Sequence, residues 1–380
     1  MAEQVVAKGL EGVIAAESRI CKIDGLQGIL CYCGYSIEEL TEYCTFEEVT
    51  YLLLNSHLPD AGQLDDFSGK MRSSRDLAGP VIEMIRHFPE SAHPMELLQS
   101  VISYLSSSVE HKIQHSDTCD CKTTLHQVVQ IASVLATFWR FRQGLGYVPA
   151  RMDLSHGANF LYMLRGEEPD PLEGEIMEKC LILHAEHGFN ASTFTARVVA
   201  SAKSTCYCSI SSAVGTLYGS LHGGANERVM EMADAVGDIE NVRAWVEKAL
   251  AEKRKIMGMG HRVYKVKDPR ATIIERLLID LTALKKESRD MDILKEIEKV
   301  VVERMEADGK QIYPNVDFFS GAVYRLLGID PILFTPIFAM SRVSGWLAHI
   351  MEQRVDNRLF RPKAMYVGPE PIDFVPLDQR

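Results

Sequence analysis

The chain is 380 residues long, with 46% apolar and 24% charged residues, the balance of a soluble globular protein with room for two or three domains. Its 41 basic and 52 acidic side chains give a formal net charge of −11, which disfavours nucleic acid and anionic membranes as partners. No apolar run reaches the roughly 18 uninterrupted residues of a membrane helix; the nearest candidate, 332–351, is broken by Pro336, Arg342 and His349. The N-terminal residues MAEQVVAKGLEG lack the apolar core of a signal peptide, so a cytoplasmic location is expected. Nine cysteines without a secretion signal point to reduced thiols.

Taken in chain order, only the first forty residues read as β. Ile20–Ile23, then Asp24-Gly25, then Gln27–Cys33 predict a small hairpin about an Asp-Gly turn. Beyond it the helical period dominates: Val128, Ile131, Ala132, Leu135 and Trp139 recur at helical spacing, as do Ile274, Leu277, Leu278 and Leu281. Pro and Gly mark helix ends at Leu58-Pro59, Gly79-Pro80, Pro149, Pro169 to Gly174, and Gly328 to Pro331. Residues 282–310, dense in charge, read as solvated helices. The fold class is mainly α.

Four segments of the second half combine chemistry-bearing residues with glycines and helix boundaries: Glu186-His187-Gly-Phe-Asn190-Ala-Ser192, Gly219 to Glu227 around His222, Gly258 to Arg270 around His261, and Tyr313 to Gly321 around Asp317. His222, beside two glycines and ahead of the apolar stripe Val229, Met232, Ala233 and Val236, is expected at a loop-to-helix junction. There a neutral imidazole can donate a hydrogen bond to a developing enolate oxygen. Asp268 reads as an N-cap and Pro269 as the first helical residue, which places Arg270 in a first turn where an anion meets both helix dipole and guanidinium. Seven basic residues between Lys253 and Arg270 against one acid form a cationic island suited to a small polyanion. Asp317, among apolar neighbours before the helix of Val323, Leu326 and Leu327, is expected to be poorly solvated and therefore more basic. Histidines, an acid and arginines in this combination point to proton abstraction beside a carbonyl, with carboxylate substrates held by Arg.

Taken together, LHGGANE around His222, GMGHRVYK…DPRA around His261 and NVDFFSG around Asp317 resemble the three active-site signatures of the citrate synthase family, in that family's order. HGFNASTFTAR from His187, SRVSGWLAH around Arg342, FRPKAMYVG around Arg361 and the N-terminal GLEGVIAAES extend the resemblance from about residue 9 to residue 368. It implies a two-domain helical fold, with a large domain of 1–221 and 326–380 and a small domain of 222–325. It also implies condensation of acetyl-CoA with oxaloacetate and water to citrate and CoA. Asp317 would take the methyl proton, His222 would hydrogen-bond the thioester oxygen, and His261 would polarise and protonate the ketone oxygen. His187, His261, Arg270, Arg342 and Arg361 would bind oxaloacetate, Arg361 by reaching the site of a second subunit. Gly258, Met259, Gly260, Arg262 and Lys265 would contact CoA. The family chemistry needs no metal or redox cofactor, and the assembly implied is at least a homodimer, with a hexamer or larger form also open.

Other readings remain. 2-Methylcitrate synthase, which accepts propionyl-CoA, shares the motifs, since one methylene in an apolar pocket is worth only about 1–3 kcal/mol; a lyase acting on citryl-CoA is a further enzymatic reading. Three Cys-x-Cys pairs (Cys31/Cys33, Cys119/Cys121, Cys206/Cys208), with His111, His115 and His126 near the second, and the pair His184/His187 offer a metal- or redox-sensing alternative. Their spacing matches no standard zinc pattern.

Overall fold

The computed structural model describes residues 6–108 and 121–380. An antiparallel sheet lies at the N-terminal end: β1 (Cys21–Asp24) pairs with β2 (Ile29–Tyr32) in the register Cys21 to Tyr32, and β2 pairs with β3 (Tyr35–Ser36). The hairpin is the predicted one. The third strand, only two residues long, was not anticipated. Its turn is an Asx turn, in which Asp24 Oδ1 accepts the N–H groups of Leu26 and Gln27, both at 3.0 Å.

Helices make up the rest: α1 (Ile37–Tyr43), α2 (Phe46–Asn55), α3 (Ala61–Ser73), α4 (Gly79–Arg86), α5 (Pro94–Ser108), α6 (Cys121–Arg142), α7 (His156–Arg165) and α8 (Pro171–His184). They continue as α9 (Ala191–Ser201), α10 (Cys206–Tyr218), α11 (Ala225–Val236), α12 (Val242–Ala251), α13 (Pro269–Lys285), α14 (Arg289–Ala307), α15 (Val316–Leu326) and α16 (Phe334–Val355). The mainly α class is borne out. Local chemistry starts many of them: Ser36, Thr45, Asp60, Ser155, Asp170, Asn190, Thr205, Asp268 and Asn315 each accept a first-turn backbone N–H, and Thr45, Asp60 and Asp170 complete capping boxes.

Several local expectations needed correction. Gly174 does not end a helix; the Asp170 cap starts α8 at Pro171 and the helix runs through Gly174, which lies against Ala158. α14 is not a fully solvated helix, because Ile293, Leu294, Ile297, Val300, Val301 and Met305 bury one face of it. Reduced thiols do not hold throughout, since Cys206 is disulfide-bonded; Cys21, Cys31, Cys33, Cys44, Cys180 and Cys208 are free. His111, His115 and Cys119 lie outside the described residues. His184 is a core residue: its Nδ1 bonds the Cys180 carbonyl at 2.8 Å and its ring packs edge-on to Phe338.

α16 is buried along almost its whole length and packs on α2, α6, α8, α9, α10 and α11. Such a helix shows little amphipathic pattern because it has core on all sides. It is also too polar to cross a membrane, and no described helix is long and apolar enough to do so. Its polar groups are directed at one stretch of chain: the Ser341 hydroxyl donates to the Leu181 carbonyl, Arg342 Nε to the His184 carbonyl at 2.7 Å, and Trp346 Nε1 to Ser192 Oγ at 3.2 Å. Gly345 lets the two segments approach, since a Cβ there would overlap the Ala185 carbonyl oxygen and the Glu186 carboxylate. Gly345→Ala is therefore expected to destabilise the protein by about 1–3 kcal/mol through overpacking. The midpoint of urea unfolding checks this, and an unchanged midpoint would show that the helix can shift without cost.

Candidate active site

A cavity of about 860 Å³ is lined by His187, His222, His261, Arg270, Asp317 and Arg342, which the sequence places far apart. Each arrives by a separate local device.

His222 precedes α11 in a tight turn whose carbonyls are gathered by one side chain. The Arg228 guanidinium donates to the Gly224, Ser220 and Gly223 carbonyls at 3.0, 3.2 and 3.0 Å. The imidazole Nε2 accepts the backbone N–H of Ser192 at 3.2 Å and lies 2.9 Å from the Ser192 hydroxyl. A backbone N–H can only donate, so Nε2 is the bare nitrogen and the ring proton sits on Nδ1. Burial, and secondarily the Arg342 charge, pushes the pKa down to about 4.

His261 is fixed the other way round. Its Nδ1 accepts the N–H groups of Val263 at 3.0 Å and Tyr264 at 3.2 Å, which leaves the proton on Nε2. Burial, then the Arg270 charge, brings this ring to about 4 as well. Its loop starts at Gly258 and Gly260, with φ of +73° and +86°, conformations that suit glycine. That start is tied to the approach to α15: Asn315 N–H donates to the Gly258 carbonyl at 2.9 Å, Gly260 N–H to the Tyr313 carbonyl at 2.8 Å, and the Asn315 amide to the Gly260 carbonyl at 2.9 Å. His261 and Asp317 thus ride on one frame.

Asp317 occupies the first turn of α15, behind the Asn315 cap. Its carboxylate accepts no hydrogen bond among the described residues, and burial raises its pKa to about 6 against the opposing Arg270 and Arg342 charges. The expected poor solvation is what raises it. His187 stands beside His261, with ring centroids 5.3 Å apart, and its Nε2 is 3.3 Å from the Tyr264 hydroxyl. Burial and the nearby Arg270 and Arg342 charges keep it well below the usual histidine range.

The cations differ from the expectation in detail. Asp268 caps α13, as predicted, but also grips the Arg270 guanidinium through Nε at 3.0 Å and Nη2 at 2.7 Å. Among the described residues Arg342 spends only Nε in a hydrogen bond, and its Nη2 is buried without a partner. The cationic island is thinner than its sequence. Lys267 pairs with Glu275 and Glu298, both at 2.6 Å, and Arg254 with Glu252 at 2.7 Å. Arg262 and Lys265 form no ion pair among the described residues. Gly260 and Arg262 line the cavity, whereas Gly258, Met259 and Lys265 do not, and Arg361 lines a separate groove of about 1390 Å³.

Sequence reasoning gave no supporting role to Ser192, Arg228 or Tyr264, nor to the buried pair of Glu186 with His349 Nε2 at 2.9 Å. The partners of Ser192, of the Tyr264 hydroxyl and of the Glu186–His349 pair lie tens of residues away, so no local pattern marks them; Arg228 instead reaches back to the turn just before its own helix. The arrangement offers two neutral imidazoles whose tautomers follow from the backbone N–H groups they accept, one carboxylate of raised basicity, and an arginine with unspent donors. That set suits enolisation beside a carbonyl and proton delivery to a second oxygen.

Three comparisons bear on the family. Residues 9–363 match the model described as "Citrate synthase, C-terminal domain". The citrate synthase of Synechocystis is 44% identical over 99% of this chain and 94% of its own length. A 2-methylcitrate synthase of Mycobacterium tuberculosis is 39% identical over 96% of this chain and 91% of its own length. The solved structure of a Thermoplasma acidophilum citrate synthase, in a ternary complex with carboxymethyl coenzyme A and oxaloacetate, is 31% identical. It superposes with a TM-score of 0.92 over 100% of both chains.

The site's electrostatics can be read directly. The Asp317 carboxyl is expected to titrate near 6 and the His222 and His261 rings near 4, by NMR of the labelled full chain. Because the folded pKa of Asp317 is raised above its ordinary 3.8, its favourable contribution to stability exists at low pH and is lost as pH rises through about 6. Asp317→Asn should therefore be more stable than the parent at pH 8, with the gap closing towards pH 5. Equal stability at both pH values would refute the burial argument.

Proposed function

The chain belongs to the citrate synthase family, and we propose that Asp317, His222 and His261 carry its reaction, the condensation of acetyl-CoA with oxaloacetate and water to citrate and CoA. The observation that most supports this reading is the pair of opposite tautomers: the proton left to His222 is on Nδ1 and that left to His261 is on Nε2, and both residues line the cavity that Asp317 lines. The Asp317 carboxylate takes a proton from the acetyl methyl carbon while His222 Nδ1–H bonds the thioester oxygen, giving an enol or enolate. That carbon forms a bond to the ketone carbon of oxaloacetate, and the ketone oxygen takes a proton from His261 Nε2. Water then cleaves the citryl-CoA thioester, releasing CoA and citrate. A positioned base contributes about 10²–10⁴-fold and one oxyanion donor about 10²–10³-fold, so neither alone suffices for so weak a carbon acid.

His187, Arg270 and Arg342 would hold the oxaloacetate carboxylates, with the unpartnered Arg342 Nη2 as the clearest free donor. Arg361 of a second copy would complete that set, which is consistent with its absence from the cavity lining of its own chain. The minimal assembly is then a homodimer. The 258–267 loop, with Arg262 and Lys265 free of ion pairs, would cover CoA. Residues 222–325 would move as a small domain against 1–221 and 326–380, closing the cleft to exclude water while the enolate forms. Acid–base chemistry of this kind calls for no metal or redox cofactor.

Thiol release from acetyl-CoA with and without oxaloacetate tests the assignment. Oxaloacetate-dependent release that favours acetyl-CoA over propionyl-CoA is expected; a propionyl-CoA preference would reassign the enzyme to 2-methylcitrate synthesis. Asp317→Ala should lower kcat at least about 10²-fold with little change in oxaloacetate binding, and near-normal turnover in the folded variant would remove Asp317 from its role.

A further inference from the structure

The loop that orients His261 rests on the turn of the N-terminal hairpin, some 240 residues away in sequence. Lys265 N–H donates to the Gly25 carbonyl at 2.8 Å. The approach is so close that a Cβ on Gly25 would overlap the Val263 carbonyl oxygen, with the Val263 carbonyl carbon at 2.7 Å and Cγ1 at 3.0 Å. Gly28, at φ +70°, faces the next part of the same loop, and a Cβ there would lie 2.9 Å from Val266 Cγ2. The turn itself is stiffened by the two hydrogen bonds to Asp24 Oδ1, and β2 is anchored beneath the cavity through the Tyr32 hydroxyl, which donates to the Glu186 carbonyl at 2.9 Å.

Val263 joins this contact to the catalytic ring. Its N–H donates to His261 Nδ1, and its carbonyl is the group pressed on Gly25. Tyr264, the next residue, gives the second bond to His261 Nδ1 and meets His187. Both other ends of the loop are fixed as well, at Gly258–Gly260 against Tyr313 to Asn315 and at Lys267 against Glu275 and Glu298. The hairpin turn is therefore the support for the span between them.

We propose that the Asp24–Gly28 turn is a docking stop for the 261–267 loop, and that Gly25 is a positioning residue that sets His261 through the Val263 peptide. This inference rests on the role given to His261 above, and on the turn and the loop lying on opposite sides of the proposed domain boundary. Docking on the turn would then be the act that brings His261 to the ketone when the cleft closes. A side chain at position 25 would push the loop by about 1 Å, and a misplacement of that size can cost about 10²-fold in rate.

A double-mutant cycle in the full chain tests it. Gly25→Ala is expected to lower kcat/KM about 10²-fold in the parent but less than about threefold in a His261→Ala background, while the change in Tm is the same in both. A parent-like Gly25→Ala enzyme, or the same fold-loss in both backgrounds, would overturn the proposal. If His261→Ala alone stays close to parental activity, the role of His261 fails first, and that single variant identifies it. Should Gly25→Ala not fold, Gly28→Ala serves instead. Its loss of kcat/KM should be relieved by adding Val266→Ala, which removes the obstructing methyl, while its lowered Tm persists because φ remains positive. A Gly28→Ala loss that Val266→Ala does not relieve would count against docking.

Discussion

The site depends on how the buried polar groups of α16 are satisfied. A polar side chain in the core must find a partner or lose roughly 1–3 kcal/mol. In α16 those partners are concentrated in residues 181–192: Ser341 on Leu181, Arg342 on His184, Trp346 on Ser192, and His349 on Glu186. One helix thereby fixes the backbone that bears His187. Through Ser192 it also fixes which nitrogen of His222 is left without a proton. The glycine at 345 is the steric condition for all of these bonds, because it lets α16 lie against Ala185 and Glu186.

A second consequence of burial is electrostatic. Two buried guanidiniums, Arg270 and Arg342, and three imidazoles share one cavity, and desolvation together with the Arg charges keeps the imidazoles neutral near pH 7. The same desolvation acts on Asp317 in the opposite sense and makes the carboxylate a stronger base. A single environment thus separates the acid–base roles: donors that remain neutral, and an acceptor that stays ionised above about pH 6. The two arginines are not equivalent within it. Arg270 is opposed by burial but held charged by Asp268, whereas burial lowers Arg342, with Glu186 as its main support. A dianionic substrate would supply the countercharge that Arg342 lacks.

Much of this was legible in the sequence because it is local. The Asp24-Gly25 turn, the helical stripes of α6 and α13, the Asp268 cap and the placement of His222 ahead of α11 all depend on residues within about a turn of one another. What was not legible is only in part long-range. Arg270 looked free for an anion because nothing in a helix start reveals that its cap will also grip its guanidinium. The cationic island looked continuous because Lys267 meets Glu298 only after α13 and α14 have folded together. α14 read as solvated because its charges outnumber its apolar residues, although those residues fall on one face. The ordered motif set supplied the roles; periodicity alone could not have joined His222 to Ser192 or Gly25 to Val263.

The two histidine supports differ in a way that bears on catalysis. His222 is held by Ser192 from within the proposed large domain, through groups that α16 and the Asn190 cap fix in turn. His261 is held by its own loop, whose outer surface is exposed at Arg262 and Val263 and whose backing is a hairpin turn. The proposed donor to the thioester oxygen is therefore tied to the large domain at the point where the proposed small domain begins, whereas the proposed donor to the ketone belongs to a span supported from outside. Enolisation is worthwhile only when the ketone is present and activated, since an enolate without an electrophile returns its proton. With the proposed ketone donor on the loop that closure would dock, and the proposed enolate donor at residue 222, the domain crossing tied to Ser192, the second half of the reaction would become the condition for a productive first half.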